Sequence, residues 1–194
     1  NRDDPGLFAA CGHPVSSVRI ALLDEEGQEV PGGEVGEICA QGPQIMDAYW
    51  QRPEQTEEVF AHGWLHTGDM AWADDRGYLY IVDRKKDMII TGGFNVFPRE
   101  VEDVITTDRD IAMAAVIGVP DDKWGEAVKA VVVVRAGAQI DTEALIQRVK
   151  DSKGAVQAPK SVDIVDEIPL TPLGKPDKKA LREIYWAGRD RRVG

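Results

Sequence analysis

Four short segments carry residue types that can act on a hydroxylated or phosphorylated ligand. The first is Gly63-Trp64-Leu65-His66-Thr67-Gly68-Asp69. An aspartate following Thr-Gly at a strand end presents a carboxylate with free lone pairs, suited to the paired hydroxyls of a ribose. A turn aspartate satisfying its own backbone is the plainer alternative. The second is Asp83-Arg84-Lys85-Lys86-Asp87. Arg84 offers a rigid donor fork for hydroxyl or phosphate oxygens, and a solvated run of charge is the alternative. The third, Thr91-Gly92-Gly93-Phe94-Asn95, lies between a strand and a helix. Paired glycines admit a ligand close to the backbone or simply make a tight turn, and the spacing is not that of a Walker phosphate loop. The fourth runs from Pro169 to Asp177 as Pro-Leu-Thr-Pro-Leu-Gly-Lys-Pro-Asp. Its prolines stiffen the approach and Gly174 frees the backbone just before Lys175. One ammonium is thereby displayed ahead of a helix, where it suits a phosphoryl oxygen gathering negative charge. An ordinary loop lysine is the alternative.

The elements that position these segments follow from hydrophobic spacing. Alternation bounded by turn residues predicts strands over 18–22, 37–40, 78–82, 88–90, 111–119, 127–134 and 161–165. Pro53 opens a short helix reaching Phe60. Pro98 opens another, with Val101, Val104 and Ile105 on one face. Asp141 caps a helix whose Leu145, Ile146 and Val149 point one way, and Asp177 caps a last one with Leu181, Ile184 and Tyr185 inward. The first half is therefore strand-rich and often broken by Gly and Pro. From about residue 87 strands and helices alternate, which predicts an α+β fold with helices packed on a short sheet. The boundary falls near Arg84-Lys85-Lys86-Asp87, a run too charged to be buried without partners.

The chain has 194 residues, 43% hydrophobic and 29% charged, enough for a core in one or two domains. No apolar run approaches the roughly 20 residues that a transmembrane helix needs, which leaves only peripheral membrane contact open. Asn1-Arg2-Asp3-Asp4-Pro5 lacks the basic-then-apolar order of a secretory signal, so the expected location is cytoplasmic. The net charge of −11 argues against a nucleic-acid partner. From Thr171 onward seven basic residues stand against three acidic ones, which suggests a polyanion handled locally or, as the composition favours, a solvated basic end. Cys11 and Cys39 form no disulfide framework and are expected to pack as small hydrophobes. His13, His62 and His66 show no metal-ligand spacing, and no residue is assigned to a metal.

Taken in order and spacing, the four segments resemble the AMP-forming acyl-CoA synthetases (fatty-acid–CoA ligases) of the adenylate-forming superfamily. Gly36 to Pro43, continuing to Tyr49-Trp50, resembles the family's strand-turn segment before the nucleotide site, and the resemblance covers nearly the whole chain. It implies that residues 1–85 are the β-rich end of a large N-terminal domain. Residues 86–194 would be a small mobile C-terminal α+β domain, hinged at Lys86. Asp69 would bind the ribose of ATP and of the acyl-adenylate, with Arg84 on the same nucleotide. Lys175 would contact the carboxylate and the α-phosphate. Gly92 and Gly93 would line the pantetheine tunnel after the domain turns, with Trp124 near the CoA nucleotide. Lys160 is a further CoA contact, in a segment where relatives carry aromatic and basic residues and Val156 to Lys160 retains only the lysine. The implied substrates are a carboxylic acid, ATP and CoA. The Mg²⁺ ligand, the phosphate loop and most of the acyl pocket are expected in a missing N-terminal part. Cys11-Gly12-His13-Pro14-Val15 reads as an interior segment, and the chain alone is expected to be inactive. Alternatives are an aryl-CoA ligase, another adenylate-forming enzyme, or a non-catalytic module that retains the fold.

Overall fold

The computed structural model describes residues 5–187. The reading of the first four residues and of Arg189, Arg191 and Arg192 in the basic end lies outside them. The fold is α+β, and it parts into two compact units between Lys85 and Lys86. No helix among the described residues is long and apolar enough to cross a membrane.

The first unit holds β1 (Arg19–Leu23), β2 (Gly36–Gln41), α1 (Pro53–Val59), β3 (Phe60–Ala61), β4 (Trp64–Ala73) and β5 (Leu79–Arg84). Its pairings are all antiparallel. β1 lies beside β2 and β2 beside β4, whose start pairs with β3 and whose end pairs with β5. Ala21, Leu23 and Cys39 form a small apolar cluster, with Trp64 packed against it. Cys39 is buried as expected, but Cys11 is exposed. Cys11 is held by its backbone, since its N–H donates to the Leu79 carbonyl at 2.8 Å, and its side chain points into no core.

The second unit holds β6 (Ile89–Thr91), β7 (Phe94–Val96), α2 (Pro98–Ile105), β8 (Ile111–Asp121), β9 (Gly125–Val134), α3 (Thr142–Lys153), β10 (Ser161–Ile164) and α4 (Lys178–Tyr185). The long antiparallel β8–β9 hairpin is its spine, with β10 joined parallel to β9 and β6 meeting β9 at the other end. Alternate residues of one strand point to opposite faces. Ala114, Val116, Val128, Ala130 and Val132 therefore pack with Val101 and Ile105 of α2 and Leu145 and Val149 of α3. Ala115, Ile117 and Val131 face the other way, onto Leu181 of α4 and Ile168. Burial on both faces is why this strand pair reads as a nearly unbroken apolar run.

Asp141 caps α3 by accepting from the N–H groups of Glu143 and Ala144, and Asp177 caps α4 by accepting from Ala180 N–H. In α4 only part of the predicted face turns inward. Leu181 is buried and Tyr185 donates to Asp163 at 2.7 Å, while Ile184 is 63% exposed. The helix follows Leu181 and Tyr185 at i and i+4, and Ile184 falls beyond the edge of that stripe.

Candidate functional site

In the first unit the sequence builds one polar group from two neighbouring strands. β4 is continuous through the Thr-Gly-Asp segment, so Asp69 does not sit at a strand end. Instead β4 bulges: Glu37 pairs with Met70 and Cys39 with His66, which sets Thr67, Gly68 and Asp69 against the single residue Ile38. Gly68 takes a φ of +73°, a left-handed conformation that a side chain would strain. Thr67 pins the bulge by donating its hydroxyl to the Ile38 carbonyl at 2.8 Å and accepting from Asp69 N–H at 3.2 Å.

Asp69 and Arg84 face each other across β4 and β5, with Arg84 Nε 2.9 Å from Asp69 Oδ1. The carboxylate thus engages a guanidinium and not its own backbone, and the guanidinium is no freely solvated charge. Both side chains keep solvent access, so the pair offers acceptor and donor edges side by side to a polar ligand.

Beneath the bulge lies a residue that sequence reasoning missed. Glu37 is 3% exposed. Its Oε1 accepts from Gly68 N–H at 2.9 Å, and its Oε2 accepts from His66 Nδ1 and Lys85 Nζ, both at 2.9 Å. Burial pushes the Glu37 carboxyl up, but these donors outweigh it and hold the group below its ordinary value of 4.5. The signal was in the strand: Glu37 and Cys39 are two apart and share the core-facing side of β2.

Glu37, Cys39 and His66 bring three possible metal donors within 4.8 Å of one another. The set does not fit a resident metal. Lys85 already neutralises the carboxylate, and burial, then the Glu37 charge, pushes the Cys39 thiol up to about 12, far from a thiolate ligand.

Because its folded pKa is depressed, Glu37 adds stability that is complete above pH 4.5 and is lost as pH falls through the folded value. Glu37→Gln is expected to cost on the order of 3 kcal/mol at neutral pH, by leaving the Lys85 and His66 donors short of charge. It should also flatten the acid limb of a denaturation-versus-pH series. An unchanged acid limb would remove Glu37 from this role.

In the second unit Gly92 and Gly93 form the two-residue turn of a hairpin, with Thr91 paired to Phe94 across β6 and β7. The strand over Phe94–Val96 was not anticipated. Both glycines have positive φ, +58° and +84°, the combination that a right-twisted two-residue hairpin favours. Gly92 N–H donates to the Trp124 carbonyl at 2.9 Å. Trp124 stands in the β8–β9 turn, where Asp121 Oδ1 accepts from the N–H groups of Lys123 and Trp124 and Lys123 Nζ lies 4.5 Å from the ring centroid.

A Cβ on Gly92 would lie 2.6 Å from the Trp124 ring, whereas nothing lies within 4 Å of one on Gly93. Gly92→Ala is therefore expected to displace the indole and lower the melting temperature clearly more than Gly93→Ala, which bears backbone strain alone, about 1–2 kcal/mol. Equal shifts in parallel melts would show that the indole contact carries no weight.

Lys160 does not join this group. Its N–H donates to the Val128 carbonyl at 2.7 Å and its ammonium to the Ala155 carbonyl at 3.3 Å, at the entry to β10. Lys175 stands on a loop closed by the backbone. Thr171 N–H donates to the Lys175 carbonyl and Gly174 N–H to the Thr171 carbonyl, both at 2.8 Å, with Gly174 at φ +75°. The Lys175 side chain is exposed. The candidates thus fall into two sets, Asp69 and Arg84 in one unit and Lys86, Gly92, Gly93, Trp124, Lys160 and Lys175 in the other.

Comparison with known proteins gives consistent matches. Residues 1–50 match the family described as AMP-binding enzyme, and residues 100–175 match the AMP-binding enzyme C-terminal domain. The medium/long-chain-fatty-acid–CoA ligase FadD8 of Mycobacterium tuberculosis is 55% identical over 98% of this chain, which covers 35% of that ligase. A long-chain-fatty-acid–CoA ligase of Escherichia coli is 44% identical over 89% of the chain, which covers 30% of it. Among solved structures, the amide bond synthetase McbA of Marinactinospora thermotolerans matches at 43% identity with a TM-score of 0.83. That match covers 94% of this chain and 37% of McbA. The chain spans about a third of the length of the curated relatives it matches.

Proposed function

The chain belongs to the AMP-binding enzymes of the adenylate-forming superfamily, and from that premise we propose that it is the C-terminal portion of an ATP-dependent carboxylic acid–CoA ligase. The acid is a fatty acid, in line with the names of the FadD8 and Escherichia coli relatives. One observation carries the reading: the Asp69–Arg84 pair is in one unit, while Lys175 and the Gly92-Gly93 hairpin are both in the other. That sorting suits a reaction in which one bound nucleotide meets two different faces in turn.

Two steps follow. A carboxylate oxygen attacks the α-phosphorus of ATP, the new O–P bond forms, and pyrophosphate leaves with the electrons of the bond it breaks. Asp69 accepts from the ribose hydroxyls and Arg84 donates beside it, so the nucleotide stays in register. Lys175 brings a positive charge to the oxygens on which negative charge develops. The CoA thiol then gives up its proton, its sulfur attacks the acyl carbon, and AMP leaves with the electrons of the acyl–oxygen bond. The Gly92-Gly93 turn gives the thiol arm a side-chain-free approach, with Trp124 against it. Exchange of the two faces takes place about Lys86. The Mg²⁺ that accompanies ATP would be held by residues outside this chain and would offset charge on the phosphates, and no residue of this chain is assigned to it.

The test uses the full-length enzyme with a long-chain fatty acid. Carboxylate-dependent pyrophosphate release followed by acyl-CoA formation is the expected result. Adenylation that delivers the acyl group to an amine and never to CoA would move the protein toward the McbA chemistry. No carboxylate-dependent pyrophosphate at all would favour a module that kept only the fold.

A further inference from the structure

Two ion pairs stand on either side of Lys86. Upstream, Lys85 Nζ lies 2.9 Å from Glu37 Oε2 in the first unit. Downstream, Arg182 Nη1 lies 2.8 Å from Asp87 Oδ1 in the second. Lys85 and Asp87 are the two ends of a single 3-10 turn, and the units part between Lys85 and Lys86.

Neither pair is a loose surface contact. Glu37 is held in turn by Gly68 and His66, so it cannot follow Lys85 if that residue moves. Arg182 and Asp87 have side chains only 12% and 16% exposed, where water screens the attraction weakly. The flanking backbone is anchored too. Arg84 is fixed to Asp69 on one side, and Met88 and Ile89 are buried on the other. Lys86 between them is exposed.

We infer that the Lys85–Glu37 and Asp87–Arg182 pairs are positioning anchors that confine the turning of one unit against the other to the backbone at Lys86. A joint without such anchors would spread its rotation over several torsions and arrive at many orientations. Anchored neighbours leave few torsions to turn, so the rotation has defined end points. The downstream anchor has a second consequence. Arg182 lies on α4, which begins three residues after Lys175, so the element following the Lys175 loop is tied to the moving side of the joint. The inference rests on the alternation proposed above.

The experiment is pulsed electron-spin distance measurement on the full-length enzyme, in a Cys11→Ser background with labels at Glu54→Cys and Glu143→Cys. It is run once with an adenylate mimic and once with CoA added. The parent is expected to give two narrow distance distributions. Lys85→Met and Arg182→Gln should each broaden them roughly twofold and slow thioester formation about tenfold, with the KM for the fatty acid unchanged. Arg182→Lys, which keeps a cation facing Asp87, should retain narrow widths and near-parent rates. A purely structural role would lower melting temperatures while leaving the widths alone. Unchanged widths in both Lys85→Met and Arg182→Gln, with two distributions in the parent, overturn the anchors and spare the alternation. A single orientation in the parent overturns the alternation and the anchors with it.

Discussion

Lys175→Ala in the full-length enzyme is expected to slow carboxylate-dependent pyrophosphate release by about 100- to 1,000-fold, the usual cost of removing one charge-stabilising donor. Transfer from supplied acyl-adenylate to CoA should stay within about twofold of the parent. The size follows from the chemistry. In the proposed mechanism the lysine meets charge that exists only while the α-phosphorus is under attack, so its loss would raise the barrier without weakening ground-state binding in proportion. The selectivity follows from the fold. The loop closes through Thr171–Lys175 and Gly174–Thr171 backbone hydrogen bonds, which an alanine preserves, so the loop keeps its shape when the ammonium is gone. The Lys175 side chain is exposed, and the melting temperature should therefore not move. Both half-reactions are read by stopped assays on the same preparation. Equal loss in both would mean that Lys175 serves a shared binding event, and the two-face assignment would fail.

What the sequence made legible depended on how local each cause was. Asp141 and Asp177 were readable as caps because a cap is decided by one side chain and the N–H groups two or three residues on. The β8–β9 pair was readable because burial on both faces leaves an apolar run that no exposed element would carry. The Gly92-Gly93 turn was half legible. Paired glycines announced a tight turn, but Phe94-Asn95-Val96 is too short to show a strand period, and Pro98 close behind read as the start of a helix. Ile184 misled because an apolar residue beside a stripe belongs to it only if the opposing surface is wide enough. Glu37 was invisible for a different reason. A buried carboxylate is intelligible only through its partners, and its three donors lie 29, 31 and 48 residues away. Asp69 and Arg84 were each weak alone, and what joins them is the β4–β5 register, a tertiary fact.

Lys86→Pro is expected to lower CoA thioester formation by at least about 100-fold while adenylation stays within about twofold. Lys85, Lys86 and Asp87 form a 3-10 turn, and proline's φ near −65° falls in the range such a turn uses. The ring's φ is therefore compatible with position 86 of the turn, and it forbids a change of φ at that residue. If the exchange of faces requires that change, the enzyme makes acyl-adenylate and then stalls. A proline also restricts the residue before it, here Lys85, whose ammonium holds Glu37 under the Asp69 bulge. That side effect has its own signature, because a disturbed Glu37 would loosen Asp69 and depress adenylation as well. Adenylation thus serves as the internal control for damage upstream of Lys86. Lys86→Ala separates backbone from charge, since it removes the ammonium but leaves φ unrestricted, and both steps should then run near the parent rate. Thioester formation at the parent rate in the proline variant would put the rotation on other torsions. Anchoring Lys85 and Asp87 would then confine nothing, and each pair would act only to stabilise its own unit.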